Sequence, residues 1–95
     1  MKFTWNEDKE RANIHKHGIT FSSAAMVFGD PFRWEDYDEE HSEEEERFVT
    51  IGFAGDVLML LFVVYTPRDD TIRIISARKA NQKERSLYEY NREGN

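Results

Sequence analysis

Nine consecutive apolar residues, Val57 to Tyr65 (VLMLLFVVY), leave this chain few ways to fold. The run is too short for a membrane helix, which takes about 20 residues. It is apolar at odd and even positions alike, so as a strand it must be covered on both faces. That demands a layered domain with a sheet at its centre. The flanks agree. Val49, Ile51 and Phe53 share one face of a preceding strand, and AGD (Ala54 to Asp56) is a turn. Asp69 and Asp70 turn the chain into TIRIISA, where Ile72 and Ile74 share one face and Arg73 and Ile75 the other. Three strands joined by tight turns read as an antiparallel meander.

Helices supply the cover. Thr4 and Glu7 have capping-box spacing, Asn6 is a competing N-cap, and NEDKERANIHKHG reads as a helix ended by Gly18. A second helix spans about Phe21 to Phe28, capped by Thr20 or Ser22 and stopped by GDP at Gly29 to Pro31. Lys2 to Trp5 and Phe32 to Asp36 alternate as short strands do, while EDYDEEHSEEEE, with nine carboxylates, reads as a solvated loop or a frayed strand end. The last segment has helical period: Ala77, Ala80, Leu87 and Tyr88 form a stripe with Glu84 beside it, and the tail NREGN is expected to fray. The expectation is one α/β (α+β) domain, residues 1–95, with a mainly antiparallel sheet of about four strands, two N-terminal helices and one C-terminal helix.

Several function classes drop out. With no cysteine there is no disulfide framework, zinc ribbon or thiol catalysis. The N-terminal stretch MKFTWNEDKERA lacks the apolar core of a secretion signal, so the expected location is cytoplasmic. The formal net charge of -6 is unevenly placed: residues 35–65 hold ten acidic side chains against one basic, while residues 66–95 hold seven basic against five acidic. That excess of acid argues against a broad nucleic-acid footprint but leaves room for a local anion site near the end.

No glycine-rich phosphate loop, HExxH or nucleophile elbow is present, and His15 and His17, two apart on a helix, make a poor metal pair. Neither metal nor cofactor is expected. Ordinary Arg, His, Glu, Lys and Tyr side chains suit one reaction in particular, RNA cleavage without metal. Guanidinium forks stabilise the charge gathering on the phosphorus-centred transition state, and a carboxylate or imidazole moves the protons. Arg68, in the turn TPRDD, is a candidate phosphate ligand, unless it only pairs with Asp69, Asp70 or the acidic loop. Arg73 on a strand face and Arg78 at the strand-to-helix junction are candidates of the same kind, with solvent exposure and a plain salt bridge as their bland alternatives. Glu46 is a possible base beside Arg47, although it also belongs to a solvated charge run. His17 is a possible acid or base, or a simple helix-end residue. Lys16, Lys79 and Lys83 add positive charge; Tyr65 could stack a base or merely edge the core, as could Tyr88. Glu84 is expected to pair with an arginine, Arg73 or Arg47, and orient it.

These residues coincide with a known pattern. FTWNEDKERANIHKHGITFSSAAMVFGDP (Phe3 to Pro31), the sparse set Asp38, His41, Ser42 and Glu45 to Arg47, IG at Ile51 and Gly52, VVYTPR (Val63 to Arg68), and IRIISARKA followed by ER and YE (Ile72 to Glu89) together resemble the BrnT toxins of bacterial type II toxin–antitoxin modules. The resemblance implies a ribonuclease of the RelE-like fold that inhibits translation. It also implies neutralisation by a BrnA-like ribbon-helix-helix antitoxin, in a heterotetramer of two toxins and two antitoxins that meets operator DNA only through the antitoxin, with no membrane contact. It raises Glu46 and His17 above their bland readings and places Lys16, Arg47, Arg68, Arg73, Arg78, Glu84 and Tyr88 in family motifs. The acidic middle third departs from what an RNA-cleaving surface suggests. It leaves three alternatives: weak activity, a module that mainly binds antitoxin and serves autoregulation, or an acidic loop held away from the RNA face.

Overall fold

The computed structural model describes residues 1–94. Strand β1 (Lys2–Thr4) leads through Asn6 into helix α1 (Glu7–His17); Asn6 accepts the Lys9 amide, whereas Thr4, the alternative cap, is part of β1. Gly18, at φ 72°, ends α1 in the left-handed conformation that glycine tolerates best. Thr20 caps helix α2 (Phe21–Met26), which tightens into a 3₁₀ turn at Val27–Gly29 rather than remaining α-helical to Phe28. Strand β2 (Trp34–Tyr37), a 3₁₀ turn at Glu39–His41, strands β3 (Phe48–Ala54), β4 (Met59–Arg68) and β5 (Thr71–Lys79), and helix α3 (Gln82–Glu93) follow. α3 incorporates most of the tail expected to fray, and Asn95 lies outside the described residues. Among the described residues no helix is long and apolar enough to cross a membrane.

The sheet has five strands in the order β1-β5-β4-β3-β2, one more than the four expected. Both short terminal candidates join it. β1 lies parallel to β5, and β2 antiparallel to β3. The apolar run is indeed central, but β4 starts at Met59, because Ala54 pairs with Met59 and the intervening residues form the turn. Leu58 takes the left-handed position of that turn, at φ 54°, and is exposed.

The two faces are covered unequally. Leu61, Val63, Tyr65, Ile74 and Ala77 are buried under Ile19, Phe21, Ala24, Val27 and Phe28 from α2 and its flanks. Gly52 permits this closeness: a Cβ there would stand 2.5 Å from Val27 Cγ1. On the opposite face Ile51, Leu60, Phe62 and Trp34 meet Ala80 and Tyr88 of the α3 segment. This second layer is only one helix wide, and Val49, Val64 and Ile75 remain half-buried beside it. α1 has almost no apolar face to contribute; its one buried side chain is polar. Asn13 donates from Nδ2 to the carbonyls of Ile19 (2.9 Å) and Ala77 (2.8 Å) and accepts the Ala77 amide at Oδ1 (3.1 Å). β1 pairs with β5 only at Thr71–Arg73, so the Asn13 carboxamide satisfies the edge of β5 beyond the end of β1.

Candidate functional site

Arg73 and Arg78 are five residues apart, a spacing that strict alternation would send to opposite faces of a strand. They share one face. Opposite Val64 and Tyr65 the β5 partners are Ser76 and Ile74, so Ile75 is an inserted bulge residue and the alternation shifts by one. Arg78 therefore sits across from Phe62, Ser76 from Val64, Arg73 from Thr66 and Thr71 from Arg68, all on the α3 side of the sheet. The bulge is what assembles the cationic face.

The acidic segment closes over one end of it. The Asp38 amide donates to the Arg47 carbonyl (2.8 Å), Ser42 Oγ donates to the Asp38 carbonyl (2.6 Å), and the Arg47 amide donates to Ser42 Oγ (2.9 Å). These bonds tie residues 38–47 into a closed loop. From it Glu45 reaches Arg68 in a two-pronged pair, at 2.7 Å from Nε and 3.0 Å from Nη2. Arg68 thus pairs with the acidic loop and not with Asp69 or Asp70. The hydrogen bonds from Arg68 hold the Glu45 carboxyl below the usual glutamate range; burial opposes this, and the charges of Arg68, Arg73 and Arg47 reinforce it. One guanidinium therefore grips this carboxylate while two others add their charge without touching it, and the acidic loop lies against the cationic face, not away from it. Arg47 and Arg73 are half-buried, and neither guanidinium makes a hydrogen bond or an ion pair with a described residue. Thr66 Oγ1, on the same face, is buried without a hydrogen-bond partner among the described residues.

Next to these groups is a groove of about 430 Å³ lined by Val49, Phe62, Val64, Ile75 and Ser76 on its floor and by Tyr37, Asp38, His41 and Arg47 on its rim. Arg78 lies over Phe62, one of these floor residues. Its guanidinium lies 4.4 Å from the centroid of the Phe62 ring and makes two 2.8 Å hydrogen bonds to Glu84. Glu84 is also the third residue of the Asn81 capping box, so the cap of α3 and the position of Arg78 are coupled. Burial pushes the Glu84 carboxyl up, but the Arg78 and Asn81 hydrogen bonds and the Arg78 charge outweigh it and hold the group below its ordinary value. The expected arginine–Glu84 pair exists, with Arg78 in place of Arg73 or Arg47.

Other expected residues lie apart from this face. Lys16 and His17 are exposed at the end of α1, the helix whose Asn13 holds the opposite edge of β5. Lys79 is across from Leu61, whose side chain belongs to the other face, and Lys83 is exposed on α3. Tyr65 is in the core. It stacks on Phe48, meets Phe28 edge-on and donates its hydroxyl to Glu35; burial and that carboxylate push its phenol up. Tyr88 is buried under α3 and donates to Asp30 at 2.7 Å, with its phenol raised to about 12 by burial and by that hydrogen bond. Glu46 is exposed and makes no hydrogen bond or ion pair with a described residue, while its neighbour Glu45 faces the arginines. Glu45, Thr66 and the pair Asp38–His41 were not singled out from the sequence as site residues. His41 Nδ1 lies 3.0 and 3.1 Å from the two Asp38 carboxylate oxygens. Both residues belong to the sparse set that resembles the family, and their i, i+3 spacing brings the two together once a 3₁₀ turn forms.

A small α+β domain with unpaired guanidinium groups beside an open groove on one sheet face has the features of an anion-binding protein. The family model described as a ribonuclease toxin, BrnT, of type II toxin–antitoxin systems matches residues 5–84, and the chain belongs to that family. No curated protein matches the chain significantly. Membership implies an RNA target and an antitoxin partner.

Proposed function

We propose that the face formed by Arg47, Arg68, Arg73 and Thr66 binds an RNA phosphodiester and cleaves it inside the chain, without metal, by attack of the 2′-hydroxyl on the adjacent phosphorus. The observation that carries this reading is the pair of half-buried, unpartnered guanidinium groups of Arg47 and Arg73 beside a buried hydroxyl with no partner. Guanidinium donors left free by the protein gain most from a dianionic phosphorane, which carries more charge than the ground-state diester. Arg68 is the third donor. Phosphate reaches it by displacing Glu45, whose carboxylate already shows what that fork accepts. Arg78, held by Glu84 and stacked on Phe62, borders the groove and contacts RNA beyond the scissile bond. Loss of messenger RNA then arrests translation. The inhibitor is a BrnA-like ribbon-helix-helix antitoxin, two copies of which bridge two toxins.

One specific observation favours a second reading. Because Glu45 occupies Arg68 in the free chain, the face could serve as an antitoxin-docking surface with little chemistry of its own. Purified protein incubated with RNA in EDTA separates the two. Cleavage yielding 2′,3′-cyclic phosphate ends, lost by about 10²-fold in Arg47→Ala and Arg73→Ala with circular dichroism unchanged, is expected for the enzyme. Glu45→Gln is expected to raise RNA affinity. Undiminished cleavage by both arginine variants would remove these roles, and activity that EDTA abolishes would remove the metal-independent step. No cleavage and no growth arrest on expression without antitoxin would establish the docking reading.

A further inference from the structure

We propose that His41, oriented by Asp38, is the general base that takes the proton from the attacking 2′-hydroxyl. This rests on the reading above that the neighbouring arginine face holds the scissile phosphate. His41 lines the groove together with Arg47 and Ser76, whereas His15 and His17 belong to α1. A carboxylate can only accept a hydrogen bond, so contact of Nδ1 with both Asp38 oxygens places the ring proton on Nδ1. The neutral imidazole then has its lone pair on Nε2, the arrangement a base requires.

The pair is also fixed relative to the phosphate donors. The Asp38 backbone is bonded at its amide to Arg47 and at its carbonyl to Ser42, and Ser42 in turn receives the Arg47 amide. Asp38 and Arg47 are therefore the two ends of one closed loop, and His41 is held to the Asp38 end by its ring and by its amide, which donates to the Asp38 carbonyl; such preorganisation is what proton transfer in a transition state rewards. The charged groups around the ring are Asp38 in contact and Glu40, Glu43, Glu44, Glu45 and Arg47 along the adjoining hollow. In the step itself the 2′-oxygen proton passes to Nε2 as the bond from that oxygen to phosphorus forms. The bond from phosphorus to the 5′-oxygen breaks, and the leaving oxygen takes a proton from water. The products are a 2′,3′-cyclic phosphate and a 5′-hydroxyl, and the imidazolium returns its proton to solvent.

The test uses the intact chain with two RNA substrates of one sequence, one ordinary and one with sulfur as the bridging 5′ leaving atom, which departs without needing a proton. His41→Ala is expected to lower kcat by about 10²- to 10⁴-fold on both substrates, with RNA binding close to that of the parent. Asp38→Asn is expected to lower kcat as well, by releasing the ring from the required tautomer. A parental kcat in His41→Ala overturns the proposal, as does a defect confined to RNA binding. So does a defect that disappears on the sulfur substrate, which would make His41 the acid. If Arg47→Ala and Arg73→Ala are crippled while His41→Ala is not, the arginine site stands and this inference falls. If all three variants cleave like the parent, the site itself is misplaced.

Discussion

Replacing Asn13 by alanine should destabilise the domain far more than its place on a polar helix suggests. Its carboxamide makes three hydrogen bonds, to Ile19 O, Ala77 O and the Ala77 amide, and the side chain is buried. Each such bond is worth about 1 kcal/mol net, and more where a stranded backbone group cannot reach water, so the loss should be about 3 kcal/mol. For a domain of this size that lowers the melting temperature by roughly 10–25 °C. Asn13→Asp keeps the acceptor for the Ala77 amide but turns a carboxylate toward two carbonyls. Burial and those carbonyls raise the introduced group's pKa in the folded state, so the folded state binds more protons than the unfolded one and the deficit widens as pH rises from the acid range. Urea unfolding followed by tryptophan fluorescence, from Trp5 and Trp34, measures both variants, with the Ala77 amide exchanging faster with solvent in Asn13→Ala, which removes its acceptor. A loss below about 0.5 kcal/mol for Asn13→Ala, the range of an ordinary surface change, would refute the edge-pairing role.

Gly52→Ala should lower stability by about 1–3 kcal/mol in a thermal melt, because the new methyl meets Val27 Cγ1 at 2.5 Å and the Val27 carbonyl at 3.2 Å. An unchanged melting temperature would mean that the 3₁₀ turn does not press on β3. Glu84→Gln should cost about 1 kcal/mol near neutral pH, since one of the two partners is partly exposed. The folded-state carboxyl lies below its unfolded value. Its contribution is therefore present above the ordinary glutamate pKa of about 4.3 and disappears as pH falls through the lower folded value. Parent and variant melting curves should converge in acid; a constant gap would exclude the ion pair as its source.

What could be read from the chain before its structure depended on whether the signal was local. Asn6, Gly18 and Thr20 mark helix ends through their own backbone chemistry, and the doubly apolar run could only be a central strand. The phase of β5 was not local. Period two places Arg73 correctly, but the bulge at Ile75 is set by pairing with Val64 and Tyr65, so the face of every residue after it was out of reach. Glu43 to Glu46 are four identical side chains, and nothing in their order tells that the third would meet Arg68. Lys16, His17, Lys79 and Lys83 were named for the charge they could carry, which says nothing of the layer a residue occupies.

The acidic middle third also changes meaning once its partners are known. As composition it opposed an RNA-cleaving role; as structure it supplies the loop that carries Asp38, His41 and Arg47, and Glu45 is bound where an anion is proposed to bind. A carboxylate held by a guanidinium fork on the surface is a weak competitor, because solvent and salt screen the pair. A phosphodiester that also engages Arg47 and Arg73 has more contacts to offer than Glu45 does, whereas an isolated anion at Arg68 alone does not. The loop thus favours ligands long enough to reach all three arginines, and negative charge beside the cationic face is compatible with selective RNA binding in a chain whose net charge is -6.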